Sequence, residues 1–532
     1  MRFYFEMDRA RQLHEVKQQK DWDIVVIGGG ATGLGCALDA ATRGFKTLLL
    51  EQADFAKGTS SKSTKLIHGG VRYLANGDIS LVHEALLERG LLLKNAPHLV
   101  KKLSFIIPTY NYFSSGYYLM GMKFYDWLSG TMSLGSSQWL SVNEVLYAQP
   151  TLNKKRLNGG IQYFDAQFDD ARLATTLVQK IEQYHGVCLN YCQVTGFIKN
   201  DQDKVAGLMA CDRESQEEFA LNAKVVINAT GVFSERIHAL SSPAKKFEIQ
   251  SSQGVHFVID REFLPSDQAL LIPKTQDGRV LFAIPWHGKV LVGTTDTPIK
   301  SPSIDPTAFD HEVDFILDTL NAFITRKVRR ADIRSIFAGL RPLVSTKGKK
   351  AATKDVSRRH FIDINEASLV TVTGGKWTTY RKMAEDTLDR VIQHFNLPVQ
   401  PCVTAQLPLF SGTANDDIPT HLLHYGAAAP ELAALEKGNY GRVISASLNL
   451  SEGQVYWAVK HEKARKIEDV LARRSRALFL DAQEALRIAG EVGLILQQLL
   501  EKDAAWLDQE MSDFFALAKT YLPNRIPPAH IE

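Results

Sequence analysis

The chain has 532 residues, with 62 Lys and Arg against 59 Asp and Glu, 45% hydrophobic residues and 23% charged ones. At roughly 100 to 200 residues per domain this predicts two to four compact units, and it excludes a small disulfide scaffold, a disordered chain and a polytopic membrane protein. A net charge of +3 is too balanced for bulk attraction to nucleic acid, so no nucleic-acid partner is expected and any basic surface is local.

Residues 1–20 read as a charged N-terminal extension (Arg2, Glu6, Asp8, Arg9, Arg11, Glu15 and Lys17) without the apolar core of a secretory signal, which predicts a cytoplasmic protein. No run of about 18 uninterrupted apolar residues occurs, so a spanning helix is not expected, while attachment to a membrane surface stays open. The five cysteines, Cys36, Cys188, Cys192, Cys211 and Cys402, have no CxxC or zinc-type spacing. Free thiols in a reducing compartment, and no metal, are expected.

Residues 23–51 carry the pattern strand (23–27), glycine loop, helix (31–43), strand (47–50). Gly28-Gly29-Gly30-Ala31-Thr32-Gly33 fits GxGxxG directly after a buried strand, where absent side chains let a pyrophosphate reach a helix N-terminus. Glu51 closes the second strand, where a carboxylate accepts from ribose hydroxyls and repels a 2′-phosphate, so FAD or NAD is favoured over NADP. Gln52 and the hydroxyls of Thr59, Ser60, Ser61 and Ser63 extend this candidate site.

Further along, 79–94 has helical spacing and 103–108 reads as a strand. Residues 105–128 are dense in aromatic and aliphatic side chains, a belt suited either to a bilayer interface or to core packing, with Lys94, Lys101, Lys102 and the run 326–330 as cations for anionic lipid. Short β-type runs are expected at 193–198, 205–211 and 224–228, then near 254–259, 279–285 and 289–293. Prolines at 398, 401 and 408 mark a linker, and 431–521 reads as helices. Residues 201–204 lack the remaining ligands of a calcium loop.

Val225-Val226-Ile227-Asn228-Ala229-Thr230-Gly231 resembles the second flavin-side segment of flavoproteins with two dinucleotide-binding domains, which favours FAD. A third glycine turn, Thr373-Gly374-Gly375-Lys376-Trp377-Thr378-Thr379-Tyr380, precedes a helical stretch, so its backbone donors suit the flavin pyrimidine. The long block from Thr59 through Lys65-Leu66-Ile67-His68-Gly69-Gly70-Val71-Arg72-Tyr73-Leu74 resembles the FAD-dependent aerobic glycerol-3-phosphate dehydrogenases. Blocks at 81–89, 169–173, 293–296, 339–343 and 374–381 continue the resemblance, and 469–476 extends it into the tail. Trp377 and the run Ser357-Arg358-Arg359-His360 depart from the family pattern. The insertion of the glycerophosphate oxidases and the calcium-binding extension of the mitochondrial enzymes are not evident.

The resemblance implies an α/β, Rossmann-like FAD fold with two dinucleotide-binding parts, a mixed-sheet substrate domain and a C-terminal helical domain. The expected divisions are an FAD-dependent region at 21–397 and the helical domain at 398–532. Within the first, cofactor parts fall near 21–95, 150–250 and 340–397, and substrate parts near 96–149 and 251–339. It implies oxidation of sn-glycerol 3-phosphate to dihydroxyacetone phosphate, by hydride transfer to flavin N5 and with a respiratory quinone as acceptor, in a cytoplasmic protein held peripherally on the inner membrane face. A homodimer is an open alternative. So are a glycerophosphate or amine oxidase that reduces oxygen to peroxide, and a flavin sensor without turnover.

Such a reaction needs cations for the phosphate, a group to take the hydroxyl proton, and C2–H aimed at N5. Arg72, Arg341 and Arg358 match the family's substrate pocket, and Tyr73 is placed to orient substrate. His68 and His256 are both candidate bases, with His68 also a candidate flavin contact. Lys376 is expected near flavin N1 and the C2 carbonyl, or on the substrate. Leu66, Ala229, Gly231, Gly375, Trp377 and Thr378 complete the expected cofactor contacts.

Overall fold

The computed structural model describes residues 8–19, 21–71, 74, 77–242, 247–273, 275, 278–346, 360–410 and 417–523. Its organising element is the strand Asp21–Ile27, whose Ile24, Val25 and Val26 are fully buried because the strand lies inside a sheet covered on both faces. Glu218–Asn228 and Thr47–Leu50 run parallel on its two sides. Val187–Leu189 and Val370–Gly374 extend the parallel part outward, and the antiparallel strands His360–Ile364, Val205–Asp212 and Cys192–Lys199 complete eight strands. One core on this sheet gathers side chains from the helices Ala31–Thr42, Asp170–Gln183 and Tyr380–His394. The loops that begin at Gly28, Glu51 and Ala229 all leave the carboxyl ends of parallel strands, the edge where open α/β sheets bind ligands.

A second sheet has ten strands. Its spine is the antiparallel pair Phe247–Asp260 and Ile333–Thr346, in register from Phe247 opposite Thr346 to Ile259 opposite Ile333, with a bulge at Val258/Ile259. Gly159–Phe168 pairs along its length with Val100–Thr109 in this sheet, so the stretch 150–250 contributes to both sheets. Local β-type character does not encode which distant strand is the partner.

The aromatic belt divides between two elements. Phe105 is fully buried on Val100–Thr109, and the remainder forms the helix Tyr112–Ser129, where Met122 and Tyr125 enter the core while Tyr112, Phe113, Met120 and Trp127 stand in solvent. Core packing therefore accounts for one face of this helix, and the other face is exposed. The cations at 326–330 are engaged within the protein: Arg326 pairs with Glu262, Arg329 with Asp332, Arg330 with Asp310 and Asp314, and Lys327 donates to the Ile324 carbonyl.

The C-terminal region is helical: Ala429–Lys437, Glu452–Glu462, Ala482–Leu499 and Ala504–Lys519, with a π-turn at Asp469–Arg474. Its core is continuous with Val258, Trp286, Leu291 and Phe337 of the second sheet. Buried ion pairs tie it to the first sheet, Arg172 to Glu462, Arg473 and Arg474 to Asp54, and Arg476 to Asp170 at 2.9 Å. All five cysteines are free.

Candidate active site

A cleft of about 630 Å³ opens over the carboxyl edge of the first sheet. It is lined by Gly28, Gly30, Ala31, Thr32, Glu51, Gln52, Thr59, Ser60, Ala229, Gly231, Gly375, Lys376 and Trp377, thirteen of the residues expected at the cofactor. Gly28 has φ +110°, and a Cβ there would lie 2.8 Å from the Ala229 carbonyl oxygen. A Cβ on Gly33 would come within 1.9 Å of the Gly28 carbonyl oxygen, so Gly33 acts by close packing of helix on loop and not from the cleft wall. The helix Ala31–Thr42 has glycine as N-cap and no capping side chain of its own, and the Ala31 N–H donates to Ser60 Oγ at 2.9 Å. An uncapped helix start facing a cleft is the donor array that a pyrophosphate needs.

Glu51 stands at the far end of this array. Its Oε2 accepts from the Gly29 N–H at 2.7 Å and its Oε1 from the Ala53 N–H at 2.9 Å. Burial pushes its pKa up and the two backbone donors pull it down. The remaining lone pairs can accept from ribose hydroxyls. Across the cleft, the Trp377 indole N–H donates to the Ser60 carbonyl at 2.8 Å, which joins the third glycine turn to the serine loop. Uncapped helix, glycine cradle and ribose-side carboxylate together fit a flavin dinucleotide.

Other expected contacts sit behind the wall. The Ser63 hydroxyl donates to Asp170 Oδ2 at 2.6 Å, and Ser61 is buried with its carbonyl accepting from Lys65 Nζ at 2.6 Å. Leu66 packs in the core of the second sheet. The His68 N–H and carbonyl both meet Thr378 Oγ1 at 3.4 Å, so these two hold loop to loop. Arg72, Tyr73 and Arg358 lie outside the described residues. Gln193 and Thr195 line the cleft from its far rim, and Arg213 donates to the Gln52 carbonyl at 3.2 Å. Sequence reading missed them because a rim built from a strand end carries no motif.

Arg341 and His256, the expected substrate and base residues, sit on the paired strands Ile333–Thr346 and Phe247–Asp260. The Arg341 Nη1 donates to the Thr295 carbonyl at 3.1 Å and its Nη2 to Thr294 Oγ1 at 3.1 Å, with Asp296 Oδ1 at 3.5 Å. Gly254 makes room for this guanidinium, since a Cβ there would lie 2.3 Å from Nη2. Asp296 also takes the Ser252 hydroxyl and faces Arg279 at 3.7 Å. Glycine at 254, hydroxyl at 294 and carboxylate at 296 thus position an arginine, a role the block at 293–296 did not reveal by itself.

His256 is 2% exposed and stacks on Phe337, ring centroids 5.2 Å apart. Its Nε2 is 2.9 Å from Thr64 Oγ1, and its Nδ1 has no hydrogen-bond partner among the described residues. Burial above all, then Arg341 and Lys65, hold its pKa well below the ordinary imidazole value, so the ring is neutral.

Two dinucleotide-type halves around one cleft, with an arginine and a neutral histidine on the adjoining sheet, define a flavin-dependent oxidoreductase. The FAD dependent oxidoreductase family matches residues 23–381, and the C-terminal domain of alpha-glycerophosphate oxidase matches residues 368–506. A probable mitochondrial glycerol-3-phosphate dehydrogenase of Dictyostelium discoideum is 37% identical over 96% of this chain and 86% of its own, and the mitochondrial enzyme of Bos taurus is 36% identical over 97% and 75%. The crystal structure of the Bacillus halodurans glycerol-3-phosphate dehydrogenase complexed with FAD superimposes with a TM-score of 0.81 at 28% identity, over 100% of both chains. The chain belongs to the glycerol-3-phosphate dehydrogenase family of FAD-dependent oxidoreductases, and its cofactor is FAD.

Proposed function

We propose that this protein oxidises sn-glycerol 3-phosphate to dihydroxyacetone phosphate and passes the electrons to a membrane quinone. The observation that carries the reading is the fixed Arg341 guanidinium beside a neutral His256, in a chain whose relatives bear that activity in their names. Bound FAD supplies the two-electron acceptor for the C2 hydride at N5.

Arg341 binds the phosphate, since a planar guanidinium offers two parallel donors to a dianion. Its contacts to Thr294, Thr295 and Asp296 fix its direction before substrate arrives, which removes ordering entropy from the binding step. His256 takes the C2 hydroxyl proton. Thr64 Oγ1 lies 2.9 Å from Nε2 and orients the ring, and burial together with Arg341 keeps the resting ring neutral and able to accept that proton, which leaves to solvent when the flavin is reoxidised. Lys376 lines the cleft beside Gly375, where its charge stabilises electron density gained by the flavin pyrimidine. Arg72, Tyr73 and Arg358 remain substrate candidates on the strength of the family pattern.

The protein docks on the membrane without crossing it. Among the described residues no helix is long and apolar enough to span a bilayer. On the helix Tyr112–Ser129, Phe113, Tyr117, Met120, Phe124 and Trp127 recur at helical spacing and are all exposed, Phe113 at 89% and Trp127 at 72%. Such a face suits the headgroup boundary, and brings the acceptor pool to the enzyme. Steady-state turnover with a soluble quinone under nitrogen tests the acceptor. Quinone reduction matching substrate loss is expected, whereas turnover only with oxygen and stoichiometric peroxide would replace this reading by the oxidase.

A further inference from the structure

Lys65 directly follows Thr64, and its side chain is wholly buried. Its Nζ donates to Asp170 Oδ2 at 2.6 Å and to the Ser61 carbonyl at 2.6 Å. The same Nζ stands 5.4 Å from the ring centroids of Trp286, Phe337 and Phe479, an aromatic cage around a cation. Asp170 also accepts from the Ser63 hydroxyl at 2.6 Å and from Arg476 Nη2 at 2.9 Å, so one carboxylate ties the turn 63–65 to the C-terminal unit.

The backbone at Lys65 has φ +61°, a left-handed conformation that a residue with a Cβ keeps only where its surroundings impose it. The imposing contacts are the buried ammonium, the Lys65 N–H on Ser63 Oγ at 3.0 Å, and the Lys65 carbonyl, which accepts from the Phe168 N–H at 3.0 Å. This turn delivers Thr64 Oγ1 to within 2.9 Å of His256 Nε2. Phe337 stacks on the imidazole and also borders the ammonium. Gly293 leaves the ring its space, since a Cβ there would lie 2.3 Å from the imidazole Cδ2.

We propose that Lys65 is a positioning residue for the oxidation, its buried ammonium locking the left-handed turn that holds Thr64 against His256. The inference rests on His256 as the base. The charge of Lys65 has a second effect, because after burial it is Arg341 and Lys65 that oppose protonation of His256. Lys65 itself faces Arg476, Asp170 and Asp169, and burial with Arg476 brings its pKa down to about 7 against the pull of the carboxylates. At pH 5.5 it is therefore a full cation, where an ordinary imidazole would be protonated.

The test is single-turnover flavin reduction in the FAD-loaded full chain by saturating sn-glycerol 3-phosphate under nitrogen, at pH 7.5 and 5.5. Lys65→Met keeps a stem among the aromatic faces and removes the charge. It is expected to retain FAD, to slow reduction at pH 7.5 at least about tenfold, and to lose at least about threefold more than the wild type on going to pH 5.5. In a Thr64→Val background the same change should cost less than about twofold at pH 7.5, because the contact it acts through is already gone, whereas a Thr64→Ser background should keep the full effect. Lys65→Gln should resemble Lys65→Met in its pH ratio. Wild-type rates in Lys65→Met at both pH values, or an undiminished loss in the Thr64→Val background, overturns the proposal. So does loss of FAD in both Lys65 variants, which marks a purely structural lysine. Reduction at the wild-type rate in His256→Ala removes the base itself, whatever the Lys65 variants do, so the two failures are told apart.

Discussion

Asp54 and Arg474 are separated by 420 residues, yet Asp54 Oδ2 accepts Arg474 Nη1 at 2.5 Å and Oδ1 accepts Nη2 at 2.8 Å. Asp54 is fully buried, and the paired arginines hold its pKa below the usual carboxylate range despite burial. It lies three positions beyond Glu51, in the loop whose Ala56, Lys57 and Gly58 line the cofactor cleft. The C-terminal helical unit thus braces the cofactor loop from behind. Arg474→Ala leaves Asp54 with only part of its compensation and should cost about 3–5 kcal/mol of stability. The expected readouts are a lower melting temperature and faster FAD release, followed by the rise in free-flavin fluorescence, with Arg474→Lys intermediate. Unchanged FAD retention would separate the C-terminal unit from the cofactor loop.

Gly254 and Gly33 should give opposite phenotypes. An alanine Cβ at 254 displaces the end of the flexible Arg341 side chain, so Gly254→Ala should fold, keep its FAD and show a KM raised at least about tenfold. An alanine at 33 meets rigid backbone at 1.9 Å and should abolish FAD binding. Paired measurements of flavin content and KM check both.

Three histidines make the fold sensitive to acid. His98, His256 and His424 are held below the ordinary value of 6.5, chiefly by burial, so below about pH 6.5 the unfolded chain binds protons that the folded one refuses. Stability therefore falls as pH drops, by about 1.4 kcal/mol per such histidine one unit below its unfolded pKa. Urea unfolding at pH 7.5 and 5.5 should show this loss, and His98→Gln should reduce it. Equal stability at both pH values would mean that these rings protonate in place.

Much of this was legible in the sequence. The glycine motif, Glu51 and the Ala229-Thr230-Gly231 turn belong to local βαβ chemistry, and local chemistry fixed their place at one sheet edge. The assignment of Gly159–Phe168 to the second sheet was not legible, because it depends on pairing with Val100–Thr109 and not on the strand's own pattern. Nor was the Asp54–Arg474 brace, whose members meet only after the C-terminal helices dock. Ser61 and Ser63 read as cofactor contacts, but Ser63 donates to Asp170, the carboxylate that also holds the buried Lys65, and the Ser61 carbonyl accepts from that lysine.

The aromatic helix supplies a membrane test. Replacing Phe113 and Trp127 by Ser removes two exposed aromatic side chains without opening the core, so stability should change by less than about 0.5 kcal/mol each while binding to anionic vesicles falls at least tenfold. Turnover with a soluble quinone should be preserved. Retained vesicle binding would move the docking face elsewhere.

The central claim is tested most directly by the anaerobic visible spectrum of the FAD-loaded protein on addition of sn-glycerol 3-phosphate. Loss of the oxidised-flavin band is predicted in the wild type, and at saturating substrate it should be slowed at least a hundredfold in His256→Ala, an effect of about 2.7 kcal/mol on the barrier. A flavin that stays oxidised with glycerol 3-phosphate but bleaches with an amino acid would contradict the account.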